Sequence, residues 1–94
     1  LGILKTNKMT IKECKEHRRL PENGTKVRIS EQITPIDDCG GFLVHQRHLI
    51  ARKPGAVGEY IGWVPGAGGD LWWIKHDDDS IGAYSFTEVN DLES

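Results

Sequence analysis

The chain reads as a mainly β fold, a small antiparallel barrel or curled sheet with a short N-terminal helix. Three observations carry that expectation. Most of the eleven glycines lie between Gly40 and Gly82, a density that suits short strands and tight turns better than long helices. The stretch VGEYIGWVPGAGGDLWWIKHDDDSIGAYSFTEVND, from Val57 to Asp91, holds Trp63, Trp72, Trp73 and both tyrosines in short runs separated by turn residues. The longest apolar runs span only three or four residues, far short of a membrane-crossing helix.

Ninety-four residues bound one small domain, with enough apolar content for a single modest core. Residues 1–23 read as an extension with a helix over about 10–20, and residues 24–94 as the β domain. Met9 is the only methionine and a candidate natural start, which would make LGILKTNK a leader. Thr10-Ile11-Lys12-Glu13 spells a capping box, in which the Thr hydroxyl and the Glu carboxylate each satisfy a free backbone N–H. Arg18-Arg19 suits the helix C-terminus, and Pro21 ends it. Ile11 and Cys14 give this helix a thin apolar stripe, so it must lean on the barrel or on a partner chain.

Glu22-Asn23-Gly24 makes a turn, and Lys26 to Ser30 alternates as a half-buried strand with Val27 and Ile29 facing inward. ITPIDDCGG, residues 33–41, reads as a loop. Phe42-Leu43-Val44 and His48-Leu49-Ile50-Ala51 are short apolar runs, with a hairpin turn or irregular crossing at His45-Gln46-Arg47. Lys53-Pro54-Gly55 is a turn signal. In the next strand, strict alternation puts Tyr60 and Trp63 on opposite faces. Pro65 to Gly69 connects to a strand over Leu71–His76, where Trp72 and Ile74 are expected in the core and Trp73 and Lys75 outside it. Asp77-Asp78-Asp79-Ser80 turns the chain into a strand over Ile81–Tyr84. Ser85 to Glu88 reads as one 3₁₀ turn, leading into a last strand over Val89–Leu92.

The net charge of −2 conceals a division. Residues 1–53 carry eleven Lys/Arg against six Asp/Glu, whereas residues 54–94 carry only Lys75 against eight acids. The two halves neutralise each other on folding, or the polarity draws a charged partner or a second copy of the chain. Cys14 and Cys39 form no CxxC pair, and no apolar stretch near the start resembles a secretory signal. Both cysteines therefore read as reduced thiols in a cytoplasmic protein, the alternative being a single disulfide that pins the N-terminal segment to a loop.

A strand beginning G-x-K-V-R-I, a long irregular loop, a G-x-x-x-G-W strand, the D-L-W-W-I strand and the Y-S-F-T-E-V turn together resemble an SH3-like antiparallel β-barrel, over roughly residues 24–92. The segment VPGAGGDLWWIKHDDDSIGAYSFTEV is also similar to small uncharacterised bacterial proteins of the kind carried on mobile gene cassettes. That resemblance implies a compact bacterial barrel and no particular activity. Ser80-Ile81-Gly82-Ala83-Tyr84 resembles the Ser-Val-Gln-Ile-Tyr strand of type II dihydrofolate reductases, SH3-like barrels that assemble as tetramers around a pore. Only Ser80 and Tyr84 are identical. Gly82 and Ala83 replace the family's ligand-contacting Gln and Ile, which removes an amide and most of the apolar contact and places a reductase last among the readings.

The residues leave three candidate surfaces. Tyr60, Trp73 and Tyr84, expected outside the main core on neighbouring strands, form an aromatic groove for a protein partner or small ligand, with Asp70 adding negative charge. The same rings would serve equally as a homodimer or other homo-oligomer contact. His45, Arg47, His48, Arg52 and Lys53 form the densest basic patch and the alternative, a nucleic-acid surface. The Asp77–Asp79 tract misses the calcium-loop spacing, because Ile81 falls where a ligand should stand. The chain shows no metal-ligand cluster, nucleophile motif or phosphate loop and calls for no cofactor. The favoured expectation is a non-enzymatic binding module with an aromatic surface, without a membrane segment.

Overall fold

A computed structural model describes residues 9–34, 44–65 and 69–93. Five strands, β1 (Lys26–Ile29), β2 (Val57–Val64), β3 (Leu71–His76), β4 (Ile81–Ser85) and β5 (Val89–Asp91), form one antiparallel sheet in the order β4-β3-β2-β1-β5. Two short helices accompany it, α1 (Ile11–Glu16) and α2 (Gln46–Ile50). The fold is therefore mainly β. The loop after Thr34, the Phe42-Leu43 part of its apolar run, most of the Pro65–Gly69 connector and Cys39 lie outside the described residues.

Strands β4 and β5 stand at opposite ends of the sheet order, yet only the 3₁₀ turn Phe86–Glu88 joins them. In a flat sheet with strands about 4.8 Å apart, those edges would lie roughly 19 Å from each other. A three-residue 3₁₀ turn rising about 2 Å per residue cannot span that gap. The sheet must curl, and its inner face becomes the core. Ile11, Val27, Ile29, Tyr60, Trp72, Ile74, Tyr84 and Val89 are buried there as one cluster. On the outer face, Val44, Leu71 and Ala83 form a second buried group, with Leu49, Val64 and Trp73 packed against it.

The alternation in β2 does not run unbroken. Tyr60 pairs with Ile74 and Gly62 with Trp73, so Ile61 is the extra residue of a β-bulge. Gly62 has φ +151, a conformation L side chains seldom adopt. The extra residue reverses parity, so Trp63 lies opposite Trp72 and returns to the face that carries Tyr60. The expectation that Tyr60 and Trp63 occupy opposite faces is thus corrected.

The expected capping box at Thr10 and Glu13 forms, and a second, Ser85 with Glu88, caps the 3₁₀ turn; each ties a helical turn to its surroundings. Thr10 accepts from the Glu13 N–H at 3.1 Å, and the Glu13 carboxylate accepts from the Thr10 N–H at 2.9 Å. Asp91 of β5 accepts the Ile11 and Lys12 N–H groups at 2.7 and 3.2 Å, which anchors α1 to the edge of the sheet. Residues 46–50 are a helix instead of the expected turn and apolar strand. His45 Nδ1 caps it by accepting the Arg47 N–H at 3.0 Å, and His48 Nδ1 donates to the Ile81 carbonyl on β4 at 2.9 Å. Leu49 turns to the outer cluster, leaving Ile50 exposed. No helix among the described residues is long and apolar enough to cross a membrane.

Candidate functional site

Two places gather chemistry: a cleft open to solvent, and a polar ring buried at His76 and Tyr84 and open to solvent at Lys53 and Asp78. The cleft lies between the C-terminal end of α1 and the sheet. Lys15, Arg18, Arg19 and Leu20 form one side; Asp70, Trp72 and Phe86 form the other, with Cys14 at the helix. Its volume is about 460 Å³, within the size range of small-ligand pockets. Trp72 is buried, and Phe86 tilts against it with centroids 6.4 Å apart. Leu20, Trp63 and Phe86 are 47%, 43% and 43% exposed, and the bulge in β2 sets Trp63 beside Trp72. Burial and the nearby Asp91 and Glu13 carboxylates push the Cys14 thiol above its ordinary value, so it stays protonated. It is a free, buried thiol. Burial pulls the Lys15 ammonium downward, partly offset by Asp91.

The acceptor at the end of one hydrogen-bond chain determines the proton positions in the ring. The Asp78 carboxylate can only accept, so the Ser80 hydroxyl donates to it at 2.6 Å. Ser80 has then spent its proton, so His76 Nδ1 must carry one and donate to Ser80 Oγ at 2.9 Å. Nε2 of the neutral imidazole is bare and accepts from the Tyr84 hydroxyl at 2.6 Å. The same Tyr84 oxygen accepts the Lys53 N–H at 2.6 Å, and the Lys53 ammonium meets Asp78 to close the circuit. Burial lowers the His76 pKa, as does the Lys53 charge, in keeping with a neutral ring. This polarity is the reverse of an activated serine, which would donate to the histidine.

Beside the ring, Arg52 and Glu88 form a buried ion pair with 5% and 7% of their side chains exposed. One guanidinium nitrogen of Arg52 reaches both Glu88 oxygens at 2.8 Å, and the group lies over the Tyr84 ring, 5.4 Å from its centroid. Glu88 also accepts the N–H groups of Thr34 at 2.7 Å and Ser85 at 3.0 Å. One carboxylate thereby joins the segment after α2, the segment after β1 and the 3₁₀ turn.

The sequence-predicted groove is not assembled. Tyr60 and Tyr84 are 2% and 0% exposed, inside the core instead of outside it. Tyr60 pairs with Ile74 and Tyr84 with Trp72, all on the inner face. Trp73 lies on the other face, half-buried under α2, with its ring 4.9 Å from that of His48 in an edge-on contact. Of the four groove candidates, only Asp70 reaches the cleft. The basic candidates do not form one open strip either. Arg52 is buried against Glu88, Lys53 pairs with Asp78, and His45 and His48 are engaged by α2 and β4. Arg47 is exposed and its Nε donates to His48 Nε2 at 3.4 Å; His45 is exposed beside it.

Sequence reasoning missed Phe86, Leu20 and the arginines at the end of α1. The D-L-W-W-I and Y-S-F-T-E-V segments carried the signal for Trp72 and Phe86, although nothing in them shows that α1 folds across to complete a cleft. Gly82 also gains a physical reason. A Cβ there would stand 2.9 Å from both His76 Cε1 and Tyr84 Cε2, so the side chain that the reductase resemblance implies at this position has no room. No family model, curated protein or solved structure matches the chain.

Proposed function

We propose that this protein is a non-enzymatic binding module, an SH3-like barrel that holds a partner segment or small ligand in the cleft between α1 and the 3₁₀ turn. Several features of the sheet support the barrel: a β4-β3-β2-β1-β5 order, a β2 bent at its bulge, and a 3₁₀ turn carrying the chain from β4 to β5. The observation that carries the function is the exposure of Leu20 and Phe86 in the cleft with Trp72, and of Trp63 cross-strand from Trp72. Large apolar side chains clustered at the rim of a concavity mark an interaction site more often than a scattered surface does.

The three indoles supply an internal control. Trp63 and Trp72 belong to the cleft side and Trp73 to the outer face. Pools of short peptides and planar small molecules added to the isotope-labelled chain should shift the indole N–H signals of Trp63 and Trp72 and leave Trp73 in place. Phe86→Ala should abolish the shifts without unfolding the sheet, because Phe86 is only partly covered. Shifts confined to Trp73 would move the site to the outer face and refute the reading.

A further inference from the structure

We infer that the cleft is built for an acidic peptide segment carrying a large apolar side chain, with Arg18 and Arg19 reading its charge. This rests on the cleft being the recognition surface and names what enters it. The first support is where unpaired cations gather. Lys26, Arg52, Lys53 and Lys75 each meet a carboxylate, while the unpaired Lys12, Arg28 and Arg47 lie on separate elements outside the cleft lining. Lys15, Arg18 and Arg19 line the cleft and form no ion pair among the described residues. Among the described residues, Asp70 is the single acid lining the cleft with Lys15, Arg18 and Arg19, and Asp91 acts on Lys15 from outside the lining.

The second support is the backbone at Arg18, which sits at φ 55 in the left-handed region. The helix closes there through the Arg19 N–H returning to the Cys14 carbonyl at 2.8 Å and the Arg18 N–H to Lys15 at 3.3 Å. Glycine or asparagine is the usual occupant of such a position. An arginine held in a disfavoured conformation at the mouth of a cleft is the kind of local cost that functional sites retain. The closure also turns Arg19 and Leu20 back toward Trp72 and Phe86, so the cations and the apolar wall share one concavity.

A peptide fits these groups better than a nucleic-acid strand. Its backbone carries N–H groups for the Asp70 carboxylate to accept, whereas a phosphodiester backbone has no N–H donor. Trp72, Phe86 and Leu20 offer a seat for a Phe or Leu side chain, and the guanidinium groups take flanking carboxylates in paired hydrogen bonds.

The test uses the full chain and three probes: a blocked peptide pool with Asp/Glu flanking Phe or Leu, the same pool with Asn/Gln in place of the acids, and a single-stranded oligonucleotide. The acidic pool should shift the Trp72 indole and the Arg18 and Arg19 side-chain signals, and bind about tenfold tighter than the amide pool. Raising salt should narrow that difference. Arg18→Gly should weaken the acidic pool about tenfold while raising the melting temperature, which separates lost recognition from lost folding. Arg19→Ala should weaken it similarly. Equal binding of the acidic and amide pools would overturn the charge reading and leave the cleft standing. Silence from both peptide pools would overturn both, and preferential binding of the oligonucleotide would replace the peptide with nucleic acid.

Discussion

The Tyr84 hydroxyl lies 2.6 Å from His76 Nε2, and both rings are buried in the face of the sheet that forms the core. Tyr84 donates and His76 accepts while the imidazole is neutral; protonation would reverse the bond and leave the Tyr84 proton without this acceptor. Burial, followed by the Lys53 charge, lowers the folded His76 pKa below its ordinary 6.5. Between the two values the unfolded chain binds more protons, so stability rises with pH across that window. The contribution is complete above about pH 6.5 and is lost as the pH falls through the folded value. Urea midpoints should decline from pH 7.5 to 5.5, and His76→Gln should flatten the decline. An unchanged slope in that variant would assign the effect to other groups.

Removing the Tyr84 hydroxyl leaves two buried groups unmet, the Lys53 N–H and His76 Nε2. Tyr84→Phe should cost about 1–3 kcal/mol, the penalty for orphaned buried polar groups. Equilibrium denaturation measures it, and a cost near zero would mean that water replaces the hydroxyl.

Gly82→Ala tests the packing of the same pair from the strand beside it. The added methyl would come within 2.9 Å of His76 Cε1 and Tyr84 Cε2, and neither ring has open space to retreat into. A loss of about 1–3 kcal/mol is expected, together with a shift of the His76 ring signals. A neutral effect would show that the two strands separate freely there.

The two kinds of ion pair should behave very differently. Glu88→Ala strands a buried guanidinium and the backbone N–H groups of Thr34 and Ser85 and should cost about 3–5 kcal/mol. Lys26→Ala breaks the Lys26–Glu59 pair, with 62% and 33% of the side chains exposed, and should cost under about 1 kcal/mol. Similar losses from the two substitutions would contradict the burial argument.

Arg18→Gly relieves the left-handed backbone of Arg18. The gain is about 1–2 kcal/mol for the conformation, less the entropy that glycine adds to the unfolded chain, about 0.4–1 kcal/mol. A net stabilisation of roughly 0.5–1 kcal/mol should appear as a higher melting temperature. A destabilised variant would show that the Arg18 side chain itself holds the helix.

Local chemistry was legible in the chain wherever a few adjacent residues settle it. Thr10 and Glu13 spell the cap of α1, Asn23-Gly24 and Pro54-Gly55 make their turns, and Ser85 to Glu88 forms a capped 3₁₀ turn. The inward setting of Val27, Ile29, Trp72 and Ile74 follows from alternation alone. The errors arise where alternation fails. A single extra residue at Ile61 sends Trp63 to the face of Tyr60, and nothing local distinguishes a glycine at a bulge from one in a regular strand. His45 to Ala51 contains too few residues for periodicity to separate helix from strand.

The sequence by itself determined the strands, the turns and the caps, because those depend on backbone preferences and on contacts three or four residues apart. Tertiary structure alone decided that Tyr60 and Tyr84 are core, that Arg52 is buried against Glu88, and that Phe86 and Leu20 share a cleft with Arg18 and Arg19. Each of these depends on which face a strand turns inward or on segments distant in the chain meeting across a curled sheet. Residues 36 positions apart, such as Arg52 and Glu88, are brought together by the closure of the whole domain and not by any pattern between them.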